Sequence, residues 1–255
     1  MECEDKTMIA LITGATGDIG REFVKKILDE VDQIWAVGRS EERLVELVKE
    51  FGQKIVPIKS DLSKAAEIQS LCERIEREKP EIQYLINNAG VAKMGEFSEF
   101  SHDEVAAMLN INCEAAALLC RVSIPFMKKG SFILNIASAS AFQPNPYISL
   151  YAASKAYLLS FTRAINRELR DVTCTAVCPG WVDTKMLPKE KDGKRIRYLG
   201  IVTPEKVVKQ ALKDCHKGKD VSMSSSLFKY TRFYSKVIPH RFIMNQWLKM
   251  IKKYL

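Results

Sequence analysis

Met8-Ile9-Ala10-Leu11-Ile12-Thr13-Gly14-Ala15-Thr16-Gly17-Asp18-Ile19-Gly20 is the stretch from which the rest of the chain is read. An apolar run ends in Thr-Gly, which is the pattern of a strand entering a turn. From Asp18 onward Ile19, Phe23, Val24, Ile27, Leu28 and Val31 recur at helical spacing, so a helix with one buried stripe follows. Glycines placed between a strand and a helix let the backbone turn tightly and approach a pyrophosphate, whose charge is met by free amides at the helix N-terminus. Gly14, Thr16, Gly17, Asp18, Ile19 and Gly20 are therefore candidate dinucleotide contacts. A turn whose glycines only relieve crowding is the competing reading, and the strand before with the helix after favours the nucleotide.

Outward from this unit the alternation continues. Residues 34–37 read as a second strand, a helix runs from Ser40 to about Phe51, residues 55–58 are a third strand, and helix resumes through Ile68, Leu71, Cys72 and Ile75 before a fourth strand at 82–86. A long alanine-rich helix is expected over 103–127, a strand over 132–137, a helix over 150–169 and a strand over 172–178. Regularity lapses over 183–201, and Thr203-Pro204-Glu205 then opens a helix with an N-cap, a proline and an acid in its first turn. Strands alternating with helices long enough to cross over a sheet give right-handed parallel β-α-β units with helices on both faces, an α/β doubly wound fold. No repeat or Ser/Gly-rich linker divides residues 1–255, which read as one domain.

Each strand end carries a candidate. Gly38-Arg39 stands where an acidic residue would hold the ribose of NAD; Arg39 can pair with a 2′-phosphate, which points to NADP(H), the alternative being a solvated surface charge. Asp61-Leu62 is suited to the adenine edge or to an ordinary helix cap. Asn87-Asn88-Ala89-Gly90 pairs two amides that brace a turn with a glycine left against the cofactor.

Tyr151 and Lys155, four apart on one helix face, reach a common ligand. An ammonium beside a phenol is expected to draw its pKa down toward the working range, so that Tyr151 can pass a proton to or from an alkoxide. Ser138, at a strand end, can donate to a carbonyl oxygen, with Ser140, Tyr147 and Ser154 as decoys. Asn112, an amide in an apolar helix, either anchors a water linked to Lys155 or is a satisfied packing amide.

These residues, taken together with Pro179-Gly180-Trp181-Val182-Asp183-Thr184, closely resemble the short-chain dehydrogenase/reductase family over about residues 7–221. The resemblance implies a Rossmann-like, doubly wound fold with a seven-stranded parallel sheet flanked by helices, and a catalytic set of Asn112, Ser138, Tyr151 and Lys155. It also implies that Arg39, Asp61, Leu62, Asn88, Ala89, Gly90, Tyr151, Lys155, Pro179, Gly180, Val182 and Thr184 border the cofactor, NADP(H), with Asp183 serving local structure. A substrate lid is implied at about 185–203. Two departures stand out: the Thr-Gly-x-x-Gly-x-x-Gly spacing of the family's longer branch, with Asp18 beside the phosphate site or capping its own helix, and the absence of the Asp-Gly-Gly ending that supports a common tetramer contact. A homo-oligomer is implied, the dimer being favoured.

Composition narrows the function. The 255 residues are 47% hydrophobic and 27% charged, as in a folded protein, and no run of about 18 uninterrupted apolar residues or secretion-signal pattern is present. The seven cysteines form no Cys-x-x-Cys pair and only three histidines accompany them, so no metal site is expected. The expectation is a cytoplasmic protein with reduced thiols and peripheral membrane contact as an option. The net charge of +8 is concentrated beyond Val221, where Lys229, Arg232, Lys236, Arg241, Lys249, Lys252 and Lys253 meet no acidic residue, an uneven distribution that argues against a general nucleic-acid face. For this basic, aromatic extension, about 226–255, pocket closure and dimer packing are favoured, with contact with an anionic membrane as the alternative. The expected activity is that of an NADP(H)-dependent carbonyl reductase or alcohol dehydrogenase acting on a moderately large apolar substrate, such as a hydroxysteroid or bile acid. The alternatives are a 3-oxoacyl thioester reductase and a non-catalytic dinucleotide-responsive scaffold.

Overall fold

The computed structural model describes residues 7–191 and 193–251; Cys3, Lys252 and Lys253 lie outside them. Strands β1 (Met8–Thr13), β2 (Gln33–Gly38), β3 (Ile55–Lys59), β4 (Glu81–Asn87), β5 (Ser131–Ile136), β6 (Val172–Val177) and β7 (Val221–Ser222) form one sheet in the order β3-β2-β1-β4-β5-β6-β7. All pairings are parallel. The order reverses between β1 and β4, and in open sheets of this kind the crevice outside the strands' carboxyl ends at such a reversal is where ligands bind.

Alternation along the strands divides the core. Ala10, Ile12, Ile34, Ala36 and Ile86 point to one face, against Phe23, Val24 and Ile27 of α1 (Asp18–Ile27), Leu44 and Leu47 of α2 (Glu41–Phe51), and Val207, Val208 and Ala211 of α7 (Pro204–Cys215). Ile9, Leu11, Trp35, Val37 and Leu85 point to the other. They meet Ile68, Leu71 and Ile75 of α3 (Ala65–Glu78), Ala115 and Leu119 of α5 (Ala115–Ser123), and Ile165 of α6 (Ser149–Glu168). The expected N-cap at Thr203 forms, its Oγ1 accepting from the Lys206 amide, and Ser40 Oγ caps α2 by accepting from the Arg43 amide, each at 3.3 Å.

The helix expected over 103–127 is not uniform. It is α4 (His102–Leu109), a π-helical turn at Asn110–Glu114, α5 and a 3-10 turn at Ile124–Phe126. The run His102–Phe126 has the length and apolarity of a membrane-spanning helix, yet Ala115, Leu119, Cys120 and Val122 within it are buried against the sheet, the position from which a core helix acquires the same composition. Among its described residues the segment over 183–201 holds a two-residue antiparallel ribbon, Glu190–Lys191 with Lys194–Arg195. The tail folds as α8 (Ser226–Val237) and α9 (His240–Ile251), broken at Ile238-Pro239, where proline ends the first helix.

Candidate active site

The turn after β1 is built by exclusion of side chains. Gly14 has φ +62°, a region only glycine enters freely, and a Cβ there would lie 3.0 Å from Asn88 Nδ2. A Cβ on Gly20 would lie 2.2 Å from the Gly14 carbonyl oxygen, so α1 sits on the turn as closely as backbone allows. Thr13 Oγ1 accepts from the amides of Asn88 and Ala89, both at 3.0 Å, and Asn88 Nδ2 donates to the carbonyls of Thr13 (3.1 Å) and Gly14 (3.0 Å). The loops after β1 and β4 are thereby stitched across the switch point, which gives Asn88 the bracing position expected of it.

Gly17 caps α1 without a side chain, leaving the first-turn amides at Asp18, Ile19 and Gly20 for a ligand's phosphates. A Cβ on Gly17 would meet only the Gly14 oxygen, at 3.3 Å, so the surface is open to a close approach. The residues therefore fit a dinucleotide. Asp18 does not cap its own helix: its Oδ2 accepts from the Lys185 amide at 2.7 Å, tying the start of the irregular segment to the phosphate turn.

Thr16 is buried, and its carbonyl accepts from the Arg43 guanidinium, which places a second arginine near the exposed Arg39 at the end of β2. Asp61 Oδ1 accepts from the Ser63 hydroxyl (2.8 Å) and amide (3.1 Å); the hydroxyl's bond leads in holding the carboxyl below its ordinary pKa. Leu62 spends its side chain on the core. Val182 is likewise buried, in a bridge to Val202, and Asp183 pairs with Lys189 at 2.7 Å, a local structural role. The Thr184 carbonyl accepts from the Leu187 amide at 3.2 Å, a turn at the start of the irregular segment.

Ser138, Tyr151 and Lys155 converge beyond β5. Ser138 Oγ accepts from the Ser140 amide at 3.1 Å, which leaves its own proton to donate. Tyr151 lies within its hydrogen-bonding reach. Lys155 is 3% exposed, donates to the Ile136 carbonyl at 2.7 Å, and has its Nζ 5.8 Å from the centroid of the Tyr151 ring. Burial pulls Lys155 down to about 8, with Cys113 and Cys178 opposing. Burial also pushes the Tyr151 phenol up, against the Ser138 bond. The expectation that Lys155 draws the Tyr151 pKa down is thus not met in the protein alone, because desolvation dominates. Gly90 completes the group: a Cβ there would stand 3.2 Å from Lys155 Nζ and 3.5 Å from Asn112 Oδ1.

Asn112 lies in the π turn, a distortion common at functional sites. Its Nδ2 donates to the Val91 carbonyl (2.9 Å) and Ser154 Oγ (3.0 Å), and its Oδ1 accepts from the Val91 amide (3.0 Å). With both side-chain N–H groups used, the side chain clamps the loop after β4 to α6, and the water anchor expected of it is not available from its amide nitrogen. Ser154, weighed as a decoy, is the partner in that clamp. Tyr147 has φ +66° and its carbonyl accepts from the Gly95 amide.

Two residues of the aromatic extension, Phe228 and Trp247, make contacts that spacing in the sequence does not specify. A Cβ on Gly180 would collide with the Phe228 ring at 1.8 Å, so α8 lies directly on the Pro179-Gly180 turn. Trp247 Nε1 donates to the Pro146 carbonyl at 2.8 Å, so α9 holds the loop before Tyr151. The tail therefore borders the crevice.

Residues 8–195 match the family model described as short chain dehydrogenase. The chain belongs to the short-chain dehydrogenase family. As such it is an oxidoreductase that converts carbonyl and alcohol groups with a nicotinamide dinucleotide. Among its relatives is the ketoacyl reductase HetN of Nostoc sp. (strain PCC 7120), 31% identical over 210 residues, which are 80% of this chain and 73% of that one. A 3beta-hydroxysteroid dehydrogenase of Mediterraneibacter gnavus is 28% identical over 213 residues, 81% of this chain and 77% of that one. A short chain dehydrogenase of Burkholderia cenocepacia J2315, solved in complex with NADP, superposes with a TM-score of 0.69 at 26% identity, covering 80% of this chain and 87% of that one.

Proposed function

We propose that this short-chain dehydrogenase is an NADP(H)-dependent carbonyl reductase, running also as an alcohol dehydrogenase, for moderately large apolar substrates of the hydroxysteroid or bile-acid kind. The observation that carries it is the gathering of a free-to-donate Ser138 hydroxyl, a protonated Tyr151 phenol and a buried Lys155 at the sheet edge beside the glycine turn. The bound cofactor supplies or takes the hydride. Ser138 donates to the substrate oxygen and holds it against Tyr151. A phenol whose pKa is raised keeps its proton until negative charge develops on that oxygen, which suits it to act as the acid in reduction. Lys155, bonded to Ile136, has donors to spare for the nicotinamide ribose and for Tyr151. Asn112, whose Oδ1 keeps a second acceptor position beside Gly90 and Lys155, is proposed to support the proton route.

Arg39 is proposed to take the 2′-phosphate, and the first-turn amides of α1 the pyrophosphate. Asp61, Leu62, Asn88, Ala89, Gly90, Pro179, Gly180, Val182 and Thr184 are proposed to line the rest of the cofactor site. Phe228, packed on Gly180 and against the buried cluster that holds Ala137, Cys178 and Met223, gives this turn an apolar backing, which supports an apolar substrate. The ketoacyl reductase relative keeps a 3-oxoacyl thioester as the second reading. A dimer is proposed through α4–α6, where Leu109 and Tyr157 stand exposed, and a cytoplasmic location accords with the free cysteines among the described residues. The test is a turnover screen following NADPH and NADP conversion over steroids, bile acids, 3-oxoacyl thioesters and short polar ketones. Preference for a short polar ketone, or for NADH, would overturn the corresponding part of the reading.

A further inference from the structure

Helix α8 has two faces with different employment. Phe228 and Ser235 point inward, the one against Gly180 and the other buried. On the opposite side Leu227, Tyr230, Phe233 and Val237 stand between 46% (Leu227) and 65% (Tyr230) exposed. Their spacing of three, three and four residues keeps them within an arc of about 120° at the helical repeat. Such a stripe of large apolar side chains on a charged protein marks a contact surface. The stripe continues beyond the helix. Gly200 is pressed against Leu227, where a Cβ would come within 2.9 Å of Leu227 Cδ2, and beside it Leu199 and Ile201 are exposed.

Charge identifies the occupant. Lys229 and Lys236 flank the stripe along one side of α8, Arg241 and Lys249 are exposed on α9, and the sequence from Val221 onward contains no acidic residue. A second copy related by a two-fold axis would set these cations against themselves, with no carboxylate of the same segment to answer them. A negatively charged lipid surface answers all of them, and aromatic side chains ringed by lysine are what the headgroup region accepts.

We propose that α8, with the adjoining residues 199–201, docks on a bilayer containing anionic phospholipid. Tyr230, Phe233 and Val237 enter the headgroup layer while Lys229 and Lys236 meet phosphates. Because Phe228 on the same helix lies on the Pro179-Gly180 turn, docking sets the mouth of the crevice at the lipid surface.

The experiment uses the full chain without cofactor or substrate, so that its result is independent of the proposed activity. Flotation with phosphatidylcholine vesicles is compared with flotation on vesicles of phosphatidylcholine and phosphatidylglycerol at low salt. The expected result is binding to the second kind only, weakening as salt is raised. Tyr230→Ser with Phe233→Ser, and separately Lys229→Gln with Lys236→Gln, should each lower the bound fraction about tenfold. Both variants should keep the circular dichroism spectrum and Tm of the parent, since these side chains are exposed. Failure of the folded parent to float with anionic vesicles overturns the proposal, as does undiminished binding by both variants. Light scattering that shows a dimer abolished by Tyr230→Ser with Phe233→Ser, without vesicle binding by the parent, would give the face to a second copy instead.

Discussion

Gly20 and Gly180 both stand where a methyl group would not fit, but what blocks each differs. At Gly20 the obstacle is the carbonyl of Gly14, backbone held in turn by Asn88 and Thr13. At Gly180 it is the ring of Phe228, the far end of a side chain on a half-buried helix. The crevice is thus rigid at the turn after β1, where backbone meets backbone, whereas the turn after β6 is bounded by the ring of a side chain, an obstacle that a substitution at Phe228 can relieve.

The sharpest test lies between the two ends. Tyr151→Phe keeps the ring and removes the proton, and turnover of a ketone should fall about 10³-fold while NADPH binding, followed by fluorescence, persists; near-parental turnover would break the assignment. Gly20→Ala should cost about 3 kcal/mol and lower the Tm by roughly 10 °C in a thermal melt, because the backbone it strikes has nowhere to go. Arg39→Ala should raise the KM for NADPH about 10–30-fold and leave that for NADH nearly as it was, and an equal change for both would remove Arg39 from the phosphate. Lys155→Met should destroy activity but stabilise the cofactor-free protein by about 1 kcal/mol at neutral pH. The sign follows from burial, which lowers the Lys155 pKa from 10.5 to about 8. The penalty for its charge is therefore full below pH 8 and fades as pH rises toward the unfolded value, so the variant's advantage in melts should shrink above about pH 8. Smallest of all, Gly180→Ala should cost under about 1 kcal/mol, with Phe228→Ala in the same chain relieving it; a loss as large as that of Gly20→Ala would show the two ends to be equally rigid.

The same contrast governs how far the sequence could be read. The strand, turn and helix from Met8 to Val31 are legible because local rules agree there: an apolar run, glycines and a helical stripe. Tyr151 and Lys155 are legible because four residues make one helical turn. Strand β7 is only Val221–Ser222, too short for any periodicity, and its place follows from pairing with Ala176 and Val177. The π turn around Asn112 is a register slip within an otherwise helical pattern, and the Asn112–Ser154 bond that explains it joins residues 42 apart. Phe228 on Gly180 and Trp247 on Pro146 are long-range contacts of the same kind, set by packing and invisible to spacing. The raised Tyr151 pKa is not legible because the sequence shows the neighbouring cation and not the burial.

Both margins of the sheet are blunted. Strand β3, at one margin, carries Pro57 opposite Ala36 and therefore offers one amide fewer to an incoming strand. Strand β7, at the other, is two residues long and gives almost no template. Lengthening of the ladder by a newcomer at either rim is thus disfavoured, which leaves the helices and loops as the surfaces through which this molecule meets others.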